Sequence, residues 1–305
     1  MKIEEVLKQV TQTLKNKGFE SPQTEAEIIT GYALKIDKVT LCLQHNRIIT
    51  DNEAQTITNL LDRRLKHEPI QYITSRAFFY GLEFIIEPPI LIPRPETETL
   101  IETVLKLAKD NPNPKIVEIG TGSGIIAITL SKYLPSAIVY ATDIIKPTLA
   151  QRNAKVHSVN NRVHFIEADL LGAINIEADF IVSNPPYIPT SVIPTLQEEV
   201  RTFESKLALD GGKDGLSVIR RIINDVSMCF CKNGVLVLEF SPEQKDALEQ
   251  EAKKRFKKIE FVNDLSGNPR VVICRNSLPP TPTERIDKNT PSRSSNPPTA
   301  NRKTE

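Results

Sequence analysis

A chain of 305 residues, 39% hydrophobic and 25% charged, is long enough for one large domain and one small one, each with a core. A net charge of +1 argues against a protein that grips long nucleic acid by bulk charge, though not against a local basic patch. No run approaches the roughly 18 apolar residues of a membrane span, and residues 1–5 lack a secretory apolar core, so a soluble, cytoplasmic protein is expected.

Residues 1–66 read as a small helical bundle. Ile3, Val6, Leu7, Val10 and Leu14 recur at helical spacing. Gly18 closes that segment, and Ser21-Pro22 gives an N-cap with proline at the first helical position. Ala26, Ile28, Ile29, Tyr32 and Leu34 supply the next apolar side, and a further helix runs from Asp51 through Ala54 to Leu65. The bundle carries no chemistry of its own and reads as a recognition module. Residues 67–97 read as a hairpin-like, Pro-rich linker, with residues 69–73 as one strand and 78–84 as the other.

From residue 98 to 276 the pattern is alternating. A helix over 96–108 precedes strands at 116–119, 137–142, 163–167, 180–183 and 234–239, with helices at 125–134, 147–156, 216–228 and 242–256. Strands at 259–262 and 270–274 bring the total to seven. Short strands separated by helices predict a mostly parallel, doubly wound α/β sheet. Residues 277–305 are Pro, Ser, Thr, Asn and charge, and read as a disordered tail. The four cysteines, Cys42, Cys229, Cys231 and Cys274, lack zinc-site spacing and histidine partners, and read as small buried residues. No metal is expected.

Two motifs carry chemistry. Gly120-Thr121-Gly122-Ser123-Gly124 follows the first strand and opens a helix, where glycine lets the backbone turn and approach a ligand. The dinucleotide fingerprint needs Gly-x-Gly-x-x-Gly, and residue 125 is Ile. Asp143 ends the second strand about 20 residues on, placed to accept from ribose hydroxyls. Asp169 and Leu170 end the third, one placed to accept from an adenine amino group and the other to cover the ring. The second motif is Asn184-Pro185-Pro186-Tyr187, directly after a buried strand. Asn184 offers an amide, the prolines stiffen the chain and leave carbonyls without their own N–H, and Tyr187 supplies a flat face. An NH2 group can give one hydrogen to the Asn184 side chain and the other to the Pro185 carbonyl. Held so, its nitrogen is aimed at a methyl donor. Together the motifs point to S-adenosyl-L-methionine (SAM) and methylation of a planar nitrogen.

With these motifs in place, the chain resembles the HemK/PrmC protein-(glutamine-N5) methyltransferases of class I peptide chain release factors over about residues 5–275. The resemblance rests on Glu68-Pro69-Ile70-Gln71-Tyr72, Phe79-Tyr80-Gly81, Leu91-Ile92-Pro93-Arg94-Pro95-Glu96-Thr97-Glu98 and Asp264-Leu265-Ser266-Gly267-Asn268-Pro269-Arg270, beside the two motifs above. It implies a Rossmann-like class I SAM-dependent methyltransferase domain, and a glutamine in the release factor's Gly-Gly-Gln loop as substrate. It implies SAM contacts from residues 120–124, Asp143, Asp169 and Leu170, with Asn184 to Tyr187 as the glutamine clamp. Asn184 then also faces the cofactor, and Arg94 and Glu96 lie near the site. Many members carry an aromatic residue where Leu170 stands, and a glycine after the glutamate that here precedes Phe240. The alternative is an adenine or guanine amino-methyltransferase of nucleic acid with the same clamp. The neutral charge and the Pro-Arg-Pro-Glu-Thr-Glu segment count against it, so no stable nucleic-acid binding is expected. A SAM-binding module without catalysis and a nicotinamide oxidoreductase fit less well. A monomer is expected.

Overall fold

The computed structural model describes residues 1–226 and 229–277. The tail expected over 277–305 therefore lies, from residue 278 onward, outside the described residues.

The N-terminal bundle comprises α1 (Ile3–Asn16), α2 (Pro22–Leu34), α3 (Lys38–Leu43) and α4 (Asp51–Leu65). Ile3, Val6, Val10 and Leu14 of α1 are all buried, as their spacing requires. On α2 the expectation is half right. Ala26, Ile29 and Leu34 are buried, but Ile28 and Tyr32, one turn apart on another face, are exposed. Thr50 and Glu53 form a reciprocal capping box that starts α4. Arg64 of α4 is almost fully buried, ion-paired to Glu25 of α2 at 2.6 Å and lying 4.3 Å over the Phe19 ring.

The linker differs from the sequence expectation. Residues 69–73 are not a strand: α5 (Ile70–Thr74) forms there, with Tyr72 and Ile73 N–H donating to the Pro69 carbonyl at 3.0 Å. Proline presets its own backbone for a helix start, and a left-handed Ser75 ends the turn after five residues. Both strands of the hairpin come from what reads as one strand: β1 (Arg76–Phe79) and β2 (Leu82–Ile85) pair antiparallel. Tyr80 and Gly81 join them, both with positive φ, which is the two-residue turn whose twist matches its strands.

The large domain begins with α6 (Glu98–Ala108) and then alternates β3 (Lys115–Ile119), α7 (Ile125–Tyr133), β4 (Ile138–Asp143), α8 (Thr148–Val156), β5 (Val163–Glu167) and β6 (Ala178–Ser183). Two short helices, α9 (Glu198–Phe203) and α10 (Lys206–Leu209), follow, which the hydrophobic pattern does not announce. Next come α11 (Ser217–Asp225), β7 (Phe230–Glu239), α12 (Lys245–Lys253), β8 (Phe256–Asn263) and β9 (Pro269–Ser277). The seven strands order as β5-β4-β3-β6-β7-β9-β8, and β9 runs opposite to the other six.

Strand alternation builds two cores. Ile116, Val182 and Val237 face α6, α7 and α8, whereas Val117, Ile181 and Leu236 face α11 and α12. A sheet covered on both faces needs such continuous apolar strands. The chain turns one way from β3 to β4 and β5, then crosses back to β6 on the other side. That reversal opens a crevice at the carboxyl ends of β3 and β6, where open α/β sheets place ligands. Cys229 and Cys274 are buried as expected, but Cys42 is exposed on the short α3. Among the described residues no helix is long and apolar enough to cross a membrane, and no cluster of metal-ligating side chains occurs.

Candidate active site

A cleft lies over these strand ends, and residues 120–123, Asp143, Asp169, Leu170, Asn184, Pro185 and Pro186 all line it. Gly124 and Tyr187 do not. Gly124 has a different duty: with φ at +86° it caps α7, and a Cβ there would press on Ile128 and Ala150 of the packed helices. Gly120, with φ at +75°, has open space where its Cβ would stand, which suits close approach by a ligand.

The glycine loop is held by its own strand. Glu118, fully buried, accepts from the Thr121 hydroxyl at 2.7 Å and from the Ala127 N–H at 3.1 Å, the latter in the first turn of α7. A carboxylate at a helix N-terminus satisfies an orphan donor and meets the positive end of the dipole. Its other oxygen, Oε1, has no partner, and the residue lines the cleft. Burial pushes its carboxyl up to about 7, against the pull of Thr121 and Ala127. Sequence reasoning passed over Glu118, although it stands two residues before the first glycine.

Asp143 closes β4 with both oxygens turned to backbone, accepting from Gly122 N–H at 2.8 Å and Ile145 N–H at 3.1 Å. Each oxygen keeps a further lone pair for a ligand. Asp169 is exposed and pairs with Arg221 at 2.6 Å. Leu170 takes a left-handed backbone, φ +51°, with its side chain partly buried at the cleft. Asn153 of α8, fully buried, donates to Ser123 and Ile85 carbonyls and so ties the glycine loop to the hairpin.

The Asn184 end is assembled from distant segments. Ser183 anchors β6 through a hydrogen bond to the Ile119 carbonyl, 2.8 Å. The Asn184 side-chain NH2 donates to the Thr97 hydroxyl at 3.0 Å. The Tyr187 hydroxyl donates to Glu239 Oε1 at 3.0 Å, at the end of β7. The Tyr187 carbonyl accepts from the Gln244 amide at 2.7 Å, and that same amide donates to the Asp214 carbonyl at 3.1 Å. Gly215 permits this crossing, since a Cβ there would collide with the Tyr187 carbonyl and the Gln244 amide. Ile188 exchanges backbone bonds with Leu209 and Gly211, which brings α10 and residues 205–210 over the cleft.

Arg94 sits behind this wall, its guanidinium 2.6 Å from the buried Glu204 carboxylate. Glu96 is exposed, and its charge is felt by both Tyr187 and Glu239. Arg64 of the bundle reaches Glu199 of α9 at 2.7 Å, so the small domain is tied to the segment that follows the prolines. Thr97, Glu239, Gln244 and the 211–215 glycines were not singled out from sequence. The glycine spacing at 211, 212 and 215 was the one local signal.

Comparison with known proteins decides among the readings this geometry allows. Residues 5–74 match the PrmC N-terminal domain, and residues 95–205 match the methyltransferase small domain. The "Release factor glutamine methyltransferase" of Chlorobaculum tepidum is 36% identical over 282 residues, covering 88% of this chain and 96% of that protein. The protein of the same name from Thermodesulfovibrio yellowstonii is 37% identical, covering 83% of this chain and 92% of that protein. The chain belongs to the release factor glutamine methyltransferase family. Its sheet is also similar to that of the hMettl16 catalytic domain, solved with the MAT2A 3′UTR hairpin 6, at a TM-score of 0.52 and 16% identity over 75% of this chain and 84% of that one. At that identity the likeness bears on the fold alone.

Proposed function

We propose that this protein transfers a methyl group from SAM to the side-chain amide nitrogen of the glutamine in a class I release factor's Gly-Gly-Gln loop. The observation that carries the reading is the Asn184 amide, oriented by Thr97 so that its NH2 group is engaged and its carbonyl oxygen is left to accept.

The cleft suits SAM on its own chemistry. The buried Glu118 oxygen without a partner is a place for the methionine ammonium, and Asp143 keeps lone pairs for ribose hydroxyls. Ile144, Ile145, Leu170 and Val218 give apolar cover for a ring, with Asp169 beside them. When bound, SAM supplies an electrophilic methyl group. The chain's residues do the rest by position. Asn184 Oδ1 and the Pro185 carbonyl accept the two amide hydrogens of glutamine, and Tyr187 gives a flat support. An amide nitrogen is a poor nucleophile because its lone pair is delocalised. Holding both hydrogens away from the amide plane returns electron density to nitrogen and fixes the attack line. No general base is required, since a methylated amide cation is strongly acidic and loses its proton readily.

The division into a helical recognition domain over 1–66, a linker over 67–97 and a SAM domain over 98–276 belongs to this proposal. The Arg64–Glu199 tie supports it, because it joins the bundle to the segment after the clamp. The protein acts as a monomer in this reading. Incubation with labelled SAM, beside purified release factor and beside DNA and RNA, tests it. Label in the release factor alone is expected, and label in nucleic acid alone would overturn it.

A further inference from the structure

We infer that Thr97 and Glu239 are positioning residues of the clamp, Thr97 setting the Asn184 amide and Glu239 setting the Tyr187 ring. The inference rests on the reading of residues 184–187 as the glutamine clamp. Neither residue lines the cleft, and both are fully buried, so each acts through the side chain it holds.

Thr97 stands at the N-cap of α6, where a threonine hydroxyl ordinarily accepts from the helix backbone. Here it makes no such bond and takes the Asn184 NH2 at 3.0 Å instead. A hydroxyl can donate or accept, but the Thr97 proton faces the Glu239 carboxylate, so its oxygen is left to accept from Asn184. With the NH2 group committed to Thr97, the carbonyl oxygen is held on the opposite branch, where an acceptor is needed.

Glu239 lies between Leu238 and Phe240, all three fully buried at the end of β7. A carboxylate there is costly to bury. The cost is partly offset by the Tyr187 hydroxyl on Oε1, while Oε2 has no hydrogen-bond partner. Thr97 faces the same carboxylate and, with Tyr187 and Arg270, favours its charged form against burial and the Glu96 charge. One carboxylate therefore sits against both residues that orient the clamp. Tyr187 is tied at its hydroxyl by Glu239 and at its carbonyl by Gln244, which fixes the ring plane at both ends.

The test compares Thr97→Val, which keeps shape and loses the hydroxyl, with Thr97→Ser, which keeps the hydroxyl, and adds Glu239→Gln. Thermal melting checks that each variant folds. Thr97→Val should lower kcat about 10- to 100-fold, the scale of a small misplacement of reacting groups, with SAM affinity held within about twofold. Thr97→Ser should restore most of the loss. Wild-type kcat in Thr97→Val, or a Ser variant no better than Val, would overturn the Thr97 role. A readout independent of turnover is the Asn184 side-chain amide signal by 15N NMR, expected to move in Thr97→Val and not in Thr97→Ser. The Tyr187 ring signal in 13C-tyrosine NMR, assigned through Tyr187→Phe, should move in Glu239→Gln, and an unmoved signal would remove Glu239. A wild-type protein that leaves release factor unmethylated would sink the proposed substrate, while the two NMR shifts still judge these contacts.

Discussion

At the glycine-loop end of the cleft, Glu118 meets Thr121 three positions away and Ala127 nine away, and Asp143 reaches back 21 residues to Gly122. At the clamp end, Asn184 is held from 87 residues away, and Tyr187 from 52 and 57. These contacts of Glu118 and Asp143 are made inside one βαβ unit. The clamp end exists only when the linker, β6, β7 and the turn before α12 have all docked. In the proposed reading, the difference teaches that binding and chemistry rest on separable parts of one sheet: a local cradle for the donor and a long-range frame for the acceptor.

Substitutions can break the two ends apart. The largest effect is expected from Asn184→Ala, which removes the acceptor for one amide hydrogen. Transfer should fall about 100- to 1,000-fold or more, the scale of losing one preorganised polar contact to the reacting group. SAM affinity, measured by titration, should stay nearly unchanged. Full activity would sink the clamp mechanism and the comparison with it.

Asp143→Ala should show the opposite signature. Loss of hydrogen bonds to a charged group weakens SAM binding by about 1.5–3 kcal/mol. Turnover at saturating SAM should change much less. An unaltered affinity in calorimetry would take Asp143 out of the ribose role.

Glu118 offers a pH-dependent probe. Its folded carboxyl is raised to about 7 from an ordinary 4.5, so the folded state holds a proton that the unfolded state releases. Its charge is tolerated at a cost, and stability falls as pH rises from about 4.5 through about 7. Glu118→Gln should flatten that fall, gaining on the order of 1–3 kcal/mol relative to wild type between pH 5 and pH 8.5. Denaturant melts at the two pH values measure it, and parallel curves would show that Glu118 does not titrate in this window.

The smallest effect belongs to Asp169. Its carboxylate is half exposed and already paired with Arg221, an arrangement worth about 0–1 kcal/mol. Asp169→Asn should shift SAM affinity less than about fivefold, well below Asp143→Ala. A larger loss than at Asp143 would reverse the order of the two acids.

The same split governs what the sequence could reveal. The α1 stripe, the seven strands and the glycine loop follow from spacing, because each is decided by neighbours within a turn or a strand. Thr97 lies in the Pro-Arg-Pro-Glu-Thr-Glu segment and Glu239 ends a strand, but nothing in either segment gives the residue a role until the fold brings Asn184 and Tyr187 against them. Local reading also failed where tertiary context overrode propensity. Residues 69–73 carry β-prone Ile and Tyr but fold as a helix behind Pro69, with Tyr72 fully packed and its hydroxyl on the Ile90 carbonyl. Gly81 already marked the true hairpin turn, two residues of positive φ inside what looked like one strand. On α2, Ile28 and Tyr32 are apolar yet exposed, because hydrophobic identity alone does not say which face of a helix meets the bundle.

The most direct test is methyl transfer from labelled SAM to a release factor, beside the same factor with its Gly-Gly-Gln glutamine replaced by alanine. Label is expected in the first and none in the second. Equal labelling of both would contradict the proposal, because the clamp would then be acting on some other group.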